Sequence, residues 1–327
     1  MLTEKLARVT IAHLPTPLER LPRLTAQLSG PELWIKRDDQ TGLATGGNKS
    51  RKLEFLVADA ARPEAGERRA DTLITGGAAQ SNHARQTAAA AAKCGLACLL
   101  ALKGTKPPQA RGNLLLDLLL GADVVWAEGR PLDEVMAQAA EELRVSDRCP
   151  YVIPYGGSNP VGASGYVAAM EELLAQCKER DLHFDHIVLP SSSGGTQAGL
   201  MVGARALGFE GRILGISIDL LTGALQRLLA DLATATAEHL ELGFVFAPED
   251  FAVNDDYLGG GYGVVSDLER GAVRAMARAE GVLLDPVYTG RACGGLLDLI
   301  HRGAFGEGER VLFWHTGGTT GLFGYEL

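Results

Sequence analysis

Short apolar segments rich in β-branched residues or leucine alternate along this chain with stretches of helical periodicity. Candidate strands lie at residues 33–37, 72–75, 97–102, 123–126, 151–153, 187–189, 213–218 and 311–314. Stretches with an apolar face at helical spacing separate most of them, including residues 81–94, 132–143, 162–178 and 196–207. This alternation predicts an α/β protein whose parallel-type sheets are covered by helices on both faces.

The length and the glycine distribution predict two domains. A chain of 327 residues, 46% of them hydrophobic, contains enough apolar material for two cores. Glycine-rich stretches near residue 46 and at residues 156–165 are the best candidate boundaries. We expect a large domain at residues 1–50 and 165–327, with a smaller α/β domain at residues 51–164 inserted into it. Ligands of such sheets bind beyond the carboxyl ends of the strands.

Charge and cysteine content limit the partners and the compartment. The net charge of −9 and the absence of a basic tail disfavour nucleic acid and anionic membranes as partners. Lys5, Arg8 and His13 interrupt the first apolar residues, so we expect no signal peptide. Lys93 and Asp117 break the longest apolar runs, which are then too polar to span a bilayer. The five scattered cysteines indicate a reduced, soluble, cytoplasmic protein without a disulfide frame.

The segment VLPSSSGGTQAGL, residues 188–200, combines an apolar strand, a loop of small residues and a helix that opens near Thr196. Successive backbone N–H groups in such a loop, together with a helix N-terminus, can hold a phosphate. No Gly-Lys-Ser/Thr follows and the spacing is not GxGxxG, so a nucleotide is disfavoured. A tight connection without a ligand is the alternative for one such loop taken alone.

Three further glycine-rich loops follow candidate strands. In ITGGAAQSNHAR, Ser81 and Asn82 stand at the start of a helix, where they can cap it or hold a small anion such as a carboxylate. The segments IPYGGSNPVGASGY and FWHTGGTTGL, which begin at residues 153 and 313, add Gly156, Ser158 and Thr316. Four loops of this kind at strand ends predict one shared cleft.

The segment TGGNKSRKLEF places three cations in the first turn of a helix. Asn48 is the expected N-cap of an amphipathic helix, followed by Lys49, Arg51 and Lys52. Acidic residues are normally preferred at this positive end. A lysine held there beside other cations has a lowered pKa, which frees its amine to attack an aldehyde. A solvated helix end is the alternative interpretation.

Lys52 or Arg51 can stay charged if a phosphate dianion lies close. The loop at residues 192–197 can bind such a phosphate. An aldehyde that carries a phosphate satisfies both needs. The sequence therefore predicts pyridoxal 5'-phosphate as the cofactor, attached to Lys49. We expect no metal site, because His183 and His186 stand at the entry to a strand without a cysteine cluster.

Five motifs carry a family resemblance: IKRDDQTGLATGGNKSRKLEFLVADA, GGAAQSNHARQTAAAAA, SSGGTQAGL, LLDPVYTGRACGGL and FWHTGG. In this order the chain resembles, from about His13 to Phe323, the family of D-cysteine desulfhydrases, L-cysteate sulfo-lyases and aminocyclopropane-carboxylate deaminases. Those are pyridoxal-phosphate enzymes of the tryptophan synthase β-like fold, or PLP fold type II. The resemblance implies a two-domain protein with the cofactor between the domains, a small amino-acid substrate and a homodimer.

The same resemblance assigns site residues by their place in the motifs. Lys49 bonds the cofactor's aldehyde, Asn82 lies beside its ring hydroxyl, and the SSGGT loop binds its phosphate. The implied cofactor-binding residues are Lys49, Lys52, Asn82, Ser193, Gly194, Gly195, Thr196, Thr289 and Thr316. The implied substrate-binding residues are Gln80, Ser81, Asn82 and Tyr288. The implied catalytic residues are Lys49, Ser81, Tyr262 and Tyr288.

One position separates the members of that family by their chemistry. In the deaminases a glutamate follows the tyrosine of the VY motif and keeps the pyridine nitrogen protonated. Here that residue is Thr289. A hydroxyl can hydrogen-bond the nitrogen without holding a proton on it, so the ring is a milder electron sink. This favours β-elimination over cyclopropane opening, with Lys49 or Ser81 taking the Cα proton and Tyr288 or Tyr262 protonating the leaving group.

Two leaving groups are open. Hydrosulfide makes the chain a D-cysteine desulfhydrase, whose products are pyruvate, hydrogen sulfide and ammonia; sulfite makes it an L-cysteate sulfo-lyase. A sulfonate needs extra donors or a cation, and Thr41, Thr45 and Ser158 are the candidate donors, but no extra arginine stands in the loops. We therefore favour D-cysteine. A deaminase, a β-replacing synthase and a non-catalytic binding protein are less favoured, the last because Lys49 and Tyr288 are both present.

Overall fold

The computed structural model describes residues 2–62 and 68–326. The strands in these ranges are β1 (Leu18–Arg20), β2 (Glu32–Arg37), β3 (Thr72–Gly77), β4 (Ala97–Leu102), β5 (Asp123–Trp126), β6 (Pro150–Val152), β7 (His186–Ser191), β8 (Arg212–Ser217), β9 (Ala252–Asn254) and β10 (Arg310–His315). The helices are α1 (Pro22–Leu28), α2 (Lys49–Ala60), α3 (Asn82–Cys94), α4 (Gly112–Leu119), α5 (Leu132–Val145), α6 (Pro160–Arg180), α7 (Gly195–Leu207), α8 (Thr222–His239), α9 (Asp267–Glu280) and α10 (Thr289–His301).

The strands form two sheets. One has six strands in the order β1-β2-β10-β7-β8-β9, and the other has four in the order β5-β4-β3-β6. All of the pairings are parallel except that of β1 with β2. The expected parallel α/β architecture is confirmed. The four-stranded sheet takes its strands from one continuous part of the chain, β3 to β6, while the boundaries at residues 50 and 165 stay a prediction.

The central strands of the large sheet are buried on both faces. In β10, the residues Val311, Leu312, Phe313 and Trp314 are all 0% exposed. Parallel strands covered on both faces consist of continuous apolar runs for this reason. The adjacent β7 is equally buried from Ile187 to Ser191, so the two strand ends next to the glycine-rich loops are rigidly held.

Helix α2 is buried on nearly every side, so the prediction of an amphipathic helix is wrong. It packs between α3, which lies on the small sheet, and α6, which packs on α7. Two of its charged residues, Arg51 and Glu54, form ion pairs with other parts of the chain. Arg51, 2% exposed, binds Asp38 at 2.8 Å and Glu172 at 2.9 Å. The pairing residues come from distant parts of the chain, which the local pattern does not reveal.

None of the helices in the described residues is long and apolar enough to cross a membrane.

Candidate active site

The four glycine-rich loops meet around one cavity at the carboxyl ends of the strands. Its wall includes Lys49 at the start of α2, the Ser81–Asn82 pair at the start of α3, the loop between β7 and α7, and Thr316 after β10. The structure thus brings together residues that are up to 267 positions apart in sequence, between Lys49 and Thr316. The cavity lies where ligands of parallel α/β sheets bind.

Lys49 is positioned by the end of β10. The backbone N–H of Asn48 donates to Thr316 O at 2.9 Å. Gly47 and Gly317 allow this close approach, because a Cβ on Gly317 would lie 2.5 Å from Gly47 Cα. Burial lowers the pKa of Lys49 to about 8 and is its sole cause among the described residues. The sequence argument expected the lowering from the helix terminus and neighbouring cations, whereas the structure produces it by removal of water.

Lys52 is a buried amine, 1% exposed, that has only neutral partners among the described residues. Its Nζ donates to Gly156 O and to Ser158 Oγ, both at 3.1 Å. Burial, and then the charge of Lys49, lower the pKa of Lys52 well below its ordinary value. A buried amine without a counter-ion is costly unless an anion is supplied from outside the chain. This amine therefore marks the place of an anionic ligand.

The loop that leads into α7 lies directly beside this amine. A Cβ on Gly195 would lie 2.6 Å from Lys52 Nζ, so no side chain fits there. Gly194 has a φ of 81°, which favours glycine. Ser193 Oγ lies 2.8 Å from Ser158 Oγ. Main-chain amides at a helix N-terminus, hydroxyls and one lysine form a set of donors that fits a phosphate group.

Asn48 is the N-cap residue of α2, as predicted, but the side chains of Asn48 and Arg51 make other contacts than expected. Asn48 makes no side-chain cap; its Nδ2 instead donates to Thr196 Oγ1 at 3.0 Å and ties α2 to α7. Arg51 does not approach the loop between β7 and α7, because Asp38 and Glu172 hold its guanidinium. Of the two predicted cation candidates, Lys52 alone faces the loop.

Gln80 and Thr289 are not among the described residues that line the cavity, and their assigned roles stay predictions. Gln80 Nε2 donates to the carbonyl oxygen of Arg111, and Gln80 Oε1 accepts from the N–H of Asn113, both at 2.9 Å. Thr289 is 0% exposed. Its Oγ1 accepts from the N–H of Asp285 at 2.8 Å and donates to Asp285 Oδ1 at 2.7 Å. Both side chains are therefore occupied by local structure.

Tyr288 on the cavity wall contacts a second tyrosine, Tyr262. Tyr262 Oη and Tyr288 Oη are 2.8 Å apart, and the two rings meet edge to face with centroids at 5.9 Å. Tyr288 lies on the cavity wall. Burial, and then the neighbouring Tyr262, raise the pKa of Tyr288 well above its ordinary value. The phenol therefore stays protonated near neutral pH and can act as a proton donor.

Sequence analysis missed two residues on the wall, Tyr155 and His83. Tyr155 lies close enough to the other two tyrosines to raise the pKa of each, and its place just before Gly156 was the available signal. His83 Nε2 lies 2.9 Å from Thr75 Oγ1, which donates its own proton to Ile153 O at 2.9 Å. Nε2 of His83 must therefore be the donor, which leaves Nδ1 unprotonated. Burial lowers the pKa of His83 well below its ordinary value, so the ring is neutral.

The chain belongs to the pyridoxal-phosphate-dependent enzymes: the family model described as "Pyridoxal-phosphate dependent enzyme" matches residues 9–317. The donors around Lys52 and the unpaired amine of Lys49 fit that cofactor. A D-cysteine desulfhydrase of Klebsiella pneumoniae (strain 342) is 44% identical over 97% of this chain and 96% of its own length. The family resemblance and the pyridoxal phosphate cofactor predicted from the sequence are thereby confirmed.

Solved structures agree on the fold. An ACC deaminase homologue superposes with a TM-score of 0.90 at 39% identity, over 99% of this chain and 95% of its own. A threonine deaminase from Solanum lycopersicum superposes with a TM-score of 0.64 at 18% identity, over 94% of this chain and 80% of its own. The second likeness supports the fold alone. The assignment to PLP fold type II is confirmed.

Proposed function

We propose that this protein is a pyridoxal-phosphate-dependent carbon–sulfur lyase that converts D-cysteine to pyruvate, hydrogen sulfide and ammonia. The observation that carries the proposal is the composition of the cavity wall. The wall includes both Lys49, with its unpaired amine, and Tyr288, with its protonated phenol. None of the described wall residues is an arginine. The extent of the similarity to the D-cysteine desulfhydrase of Klebsiella supports the same activity.

The cofactor site uses the residues that surround Lys49 and Lys52. When bound, pyridoxal phosphate withdraws electrons from the substrate's Cα and so weakens the Cα–H bond. Lys52, Ser193, Gly194, Gly195 and Thr196 hold the phosphate in this proposal, and Asn82 faces the ring oxygen. Thr316 takes the position beside the ring that the sequence assigned to Thr289, because Thr316 is one of the residues that line the cavity. A hydroxyl there keeps the ring a mild electron sink, which is sufficient for elimination of a good leaving group.

Lys49 is the base that removes the Cα proton. With a pKa of about 8, the amine is partly neutral near physiological pH and can accept a proton at Nζ. Ser81, the alternative base, uses an Oγ lone pair to accept from the N–H of Ala84 at 3.1 Å as the N-cap of α3. Its hydroxyl proton is directed to the substrate carboxylate, which lies at the positive end of α3.

Tyr288 protonates the departing sulfur in this proposal. Its phenol is on the cavity wall, whereas Tyr262 lies behind it and holds it by the hydrogen bond of 2.8 Å. Tyr262 is therefore a positioning residue, and Tyr288 is the proton donor. Proton transfer to the leaving thiolate matters because hydrosulfide leaves more easily as the neutral acid.

The alternative substrate, L-cysteate, finds little support in the described cavity. The expected sulfonate donors are occupied: Thr41 Oγ1 donates to Gly47 O at 2.9 Å, and Thr45 Oγ1 pairs with Thr320 Oγ1 at 2.9 Å. Ser158 is held by Lys52 and Ser193. The sulfonate of L-cysteate would therefore find these three hydroxyls already engaged in hydrogen bonds.

Pyruvate release from D-cysteine and from L-cysteate, measured side by side with the purified protein, tests this choice. We expect D-cysteine to be turned over at least tenfold more efficiently, with no turnover of either substrate by Lys49→Ala. Efficient pyruvate release from L-cysteate, with little from D-cysteine, would show that L-cysteate is the preferred substrate.

We propose further that the protein is a cytoplasmic homodimer built from the two domains predicted at residues 1–50 with 165–327 and 51–164. The five cysteines, all free thiols, fit a reducing compartment. Light scattering after size-exclusion chromatography tests the dimer, and a mass equal to one chain would reject it.

A further inference from the structure

We infer that Arg85 and Asn113 are positioning residues that fix the side-chain amide of Asn82, so that its NH₂ group, and not its oxygen, faces the ring oxygen of the cofactor. The inference rests on the proposed placement of the cofactor beside Asn82. It concerns two residues that lie outside the cavity wall and touch neither cofactor nor substrate.

The hydrogen bonds that lead from Arg85 through Asn113 to Asn82, which we call the relay, begin at the Arg85 guanidinium. Arg85 is 0% exposed, and its Nη1 and Nη2 donate to the carbonyl oxygens of Ala44 and Gly46. Its Nε donates to Asn113 Oδ1 at 2.8 Å. A guanidinium has donors and no acceptor, so the atom of Asn113 that faces it must be the oxygen. The direction of the first bond is therefore fixed.

The direction of the hydrogen bond from Asn113 to Asn82 is fixed as a result. With its oxygen turned to Arg85, Asn113 presents Nδ2 on the other side, where it donates to Gln80 O and to Asn82 Oδ1, both at 2.8 Å. Both amide protons of Asn113 are used. Reversing the Asn82 amide would place two NH₂ groups against each other without an acceptor between them. Asn82 Oδ1 is therefore held on the side away from the cavity.

The remaining Asn82 atom, Nδ2, lies beside the turn after β10. A Cβ on Gly318 would come within 2.6 Å of it, and Asn82 forms part of the cavity wall. Among the residues that the structure describes, no acceptor takes a hydrogen bond from this NH₂. The donor is thus directed to a ligand, and a donor at this point favours the anionic form of a ring oxygen.

Asn113→Asp tests the direction of the chain. The carboxylate still accepts from Arg85 but has no proton to give to Asn82 Oδ1, so the Asn82 amide turns over and presents its oxygen to the cofactor. We expect the midpoint of the pH titration of the cofactor's long-wavelength absorbance to rise by about one unit, a tenfold change in the protonation equilibrium. Affinity of the apoprotein for added pyridoxal phosphate should fall by a similar factor.

Two controls separate orientation from charge. Gln109→Glu adds a carboxylate on the exposed segment before α4 without touching Asn113, and it should leave the midpoint unchanged. Asn82→Ala removes the amide through which the effect must act, so Asn113→Asp should cause no further shift in that background. An equal shift in the Asn82→Ala background, or with Gln109→Glu, would overturn the inference, as would an Asn113→Asp protein with the wild-type midpoint.

Arg85→Gln carries the test if Asn113→Asp fails to fold. A glutamine side chain has both a donor and an acceptor, so it no longer dictates which Asn113 atom faces it, and a smaller upward shift is expected; no shift rejects the relay. A wild-type protein that takes up no cofactor at Lys49 rejects the proposed function, and the inference with it. A wild-type protein that binds the cofactor normally, beside variants without a shift, rejects the relay alone.

Discussion

Asp117 is a buried carboxylate whose replacement by asparagine should stabilise the protein at neutral and alkaline pH. It is 0% exposed on α4, and neither of its carboxylate oxygens has a hydrogen-bond partner among the described residues. Burial raises its pKa from 3.8 to about 7, although the nearby Arg85 acts in the opposite direction. The folded protein therefore binds a proton at this position more tightly than the unfolded chain does.

The sign and size of the effect follow from linkage. Because the folded pKa is raised, the ionised carboxylate carries no penalty below the unfolded value of 3.8, and the penalty grows as the pH rises to about 7. A difference of about three pH units corresponds to an upper limit of about 4 kcal/mol. An asparagine side chain cannot ionise and avoids this cost. We expect the free energy of unfolding of Asp117→Asn to exceed that of the wild type, and this difference to grow by about 2–3 kcal/mol from pH 5 to pH 8.

Urea unfolding of both proteins at equal cofactor saturation, followed by circular dichroism across that pH range, measures the difference. A stability difference that does not change between pH 5 and pH 8, or a wild type that is the more stable protein at pH 8, would refute the assignment of a buried, partly protonated carboxylate.

Other consequences concern the cavity. Lys52→Met should weaken binding of pyridoxal phosphate about tenfold or more and leave binding of pyridoxal, which lacks the phosphate, unchanged; equal losses for both ligands in equilibrium dialysis would place Lys52 elsewhere. Tyr288→Phe should lower kcat for D-cysteine about 100-fold but hardly affect β-chloro-alanine, because chloride leaves without a proton; parallel losses in the pyruvate assay would exclude Tyr288 as the donor. Thr289→Val should retain the wild-type cofactor spectrum, whereas Thr316→Val should change it; the reverse pattern would restore the sequence-based assignment of Thr289.

The parallel sheets could be predicted from the sequence because strands buried on both faces contain continuous apolar residues. The short edge strands β1 and β9, three residues each, were missed, whereas the equally short β6 was predicted at residues 151–153. The two glycines before Lys49 and the SSGGT loop were equally informative, since both precede a helix in a pattern of strand, loop and helix.

The partners of buried polar side chains could not be predicted where they come from distant segments of the chain. Arg51 was a candidate partner of the phosphate, but Asp38 and Glu172 bury it by pairing with it. Local competition decided the case of Thr289, whose hydroxyl is held by Asp285 four residues earlier. The relay from Arg85 through Asn113 joins residues 28 positions apart, and hydrogen-bond direction is a property of the folded structure alone.

Peptide mapping after borohydride reduction of the purified protein shows which lysine carries the cofactor, because reduction makes the link between cofactor and lysine permanent. We predict one phosphopyridoxyl group for each chain, attached to Lys49. A modification at Lys52, or protein that carries none after incubation with pyridoxal phosphate, would rule out Lys49 as the residue that binds the cofactor.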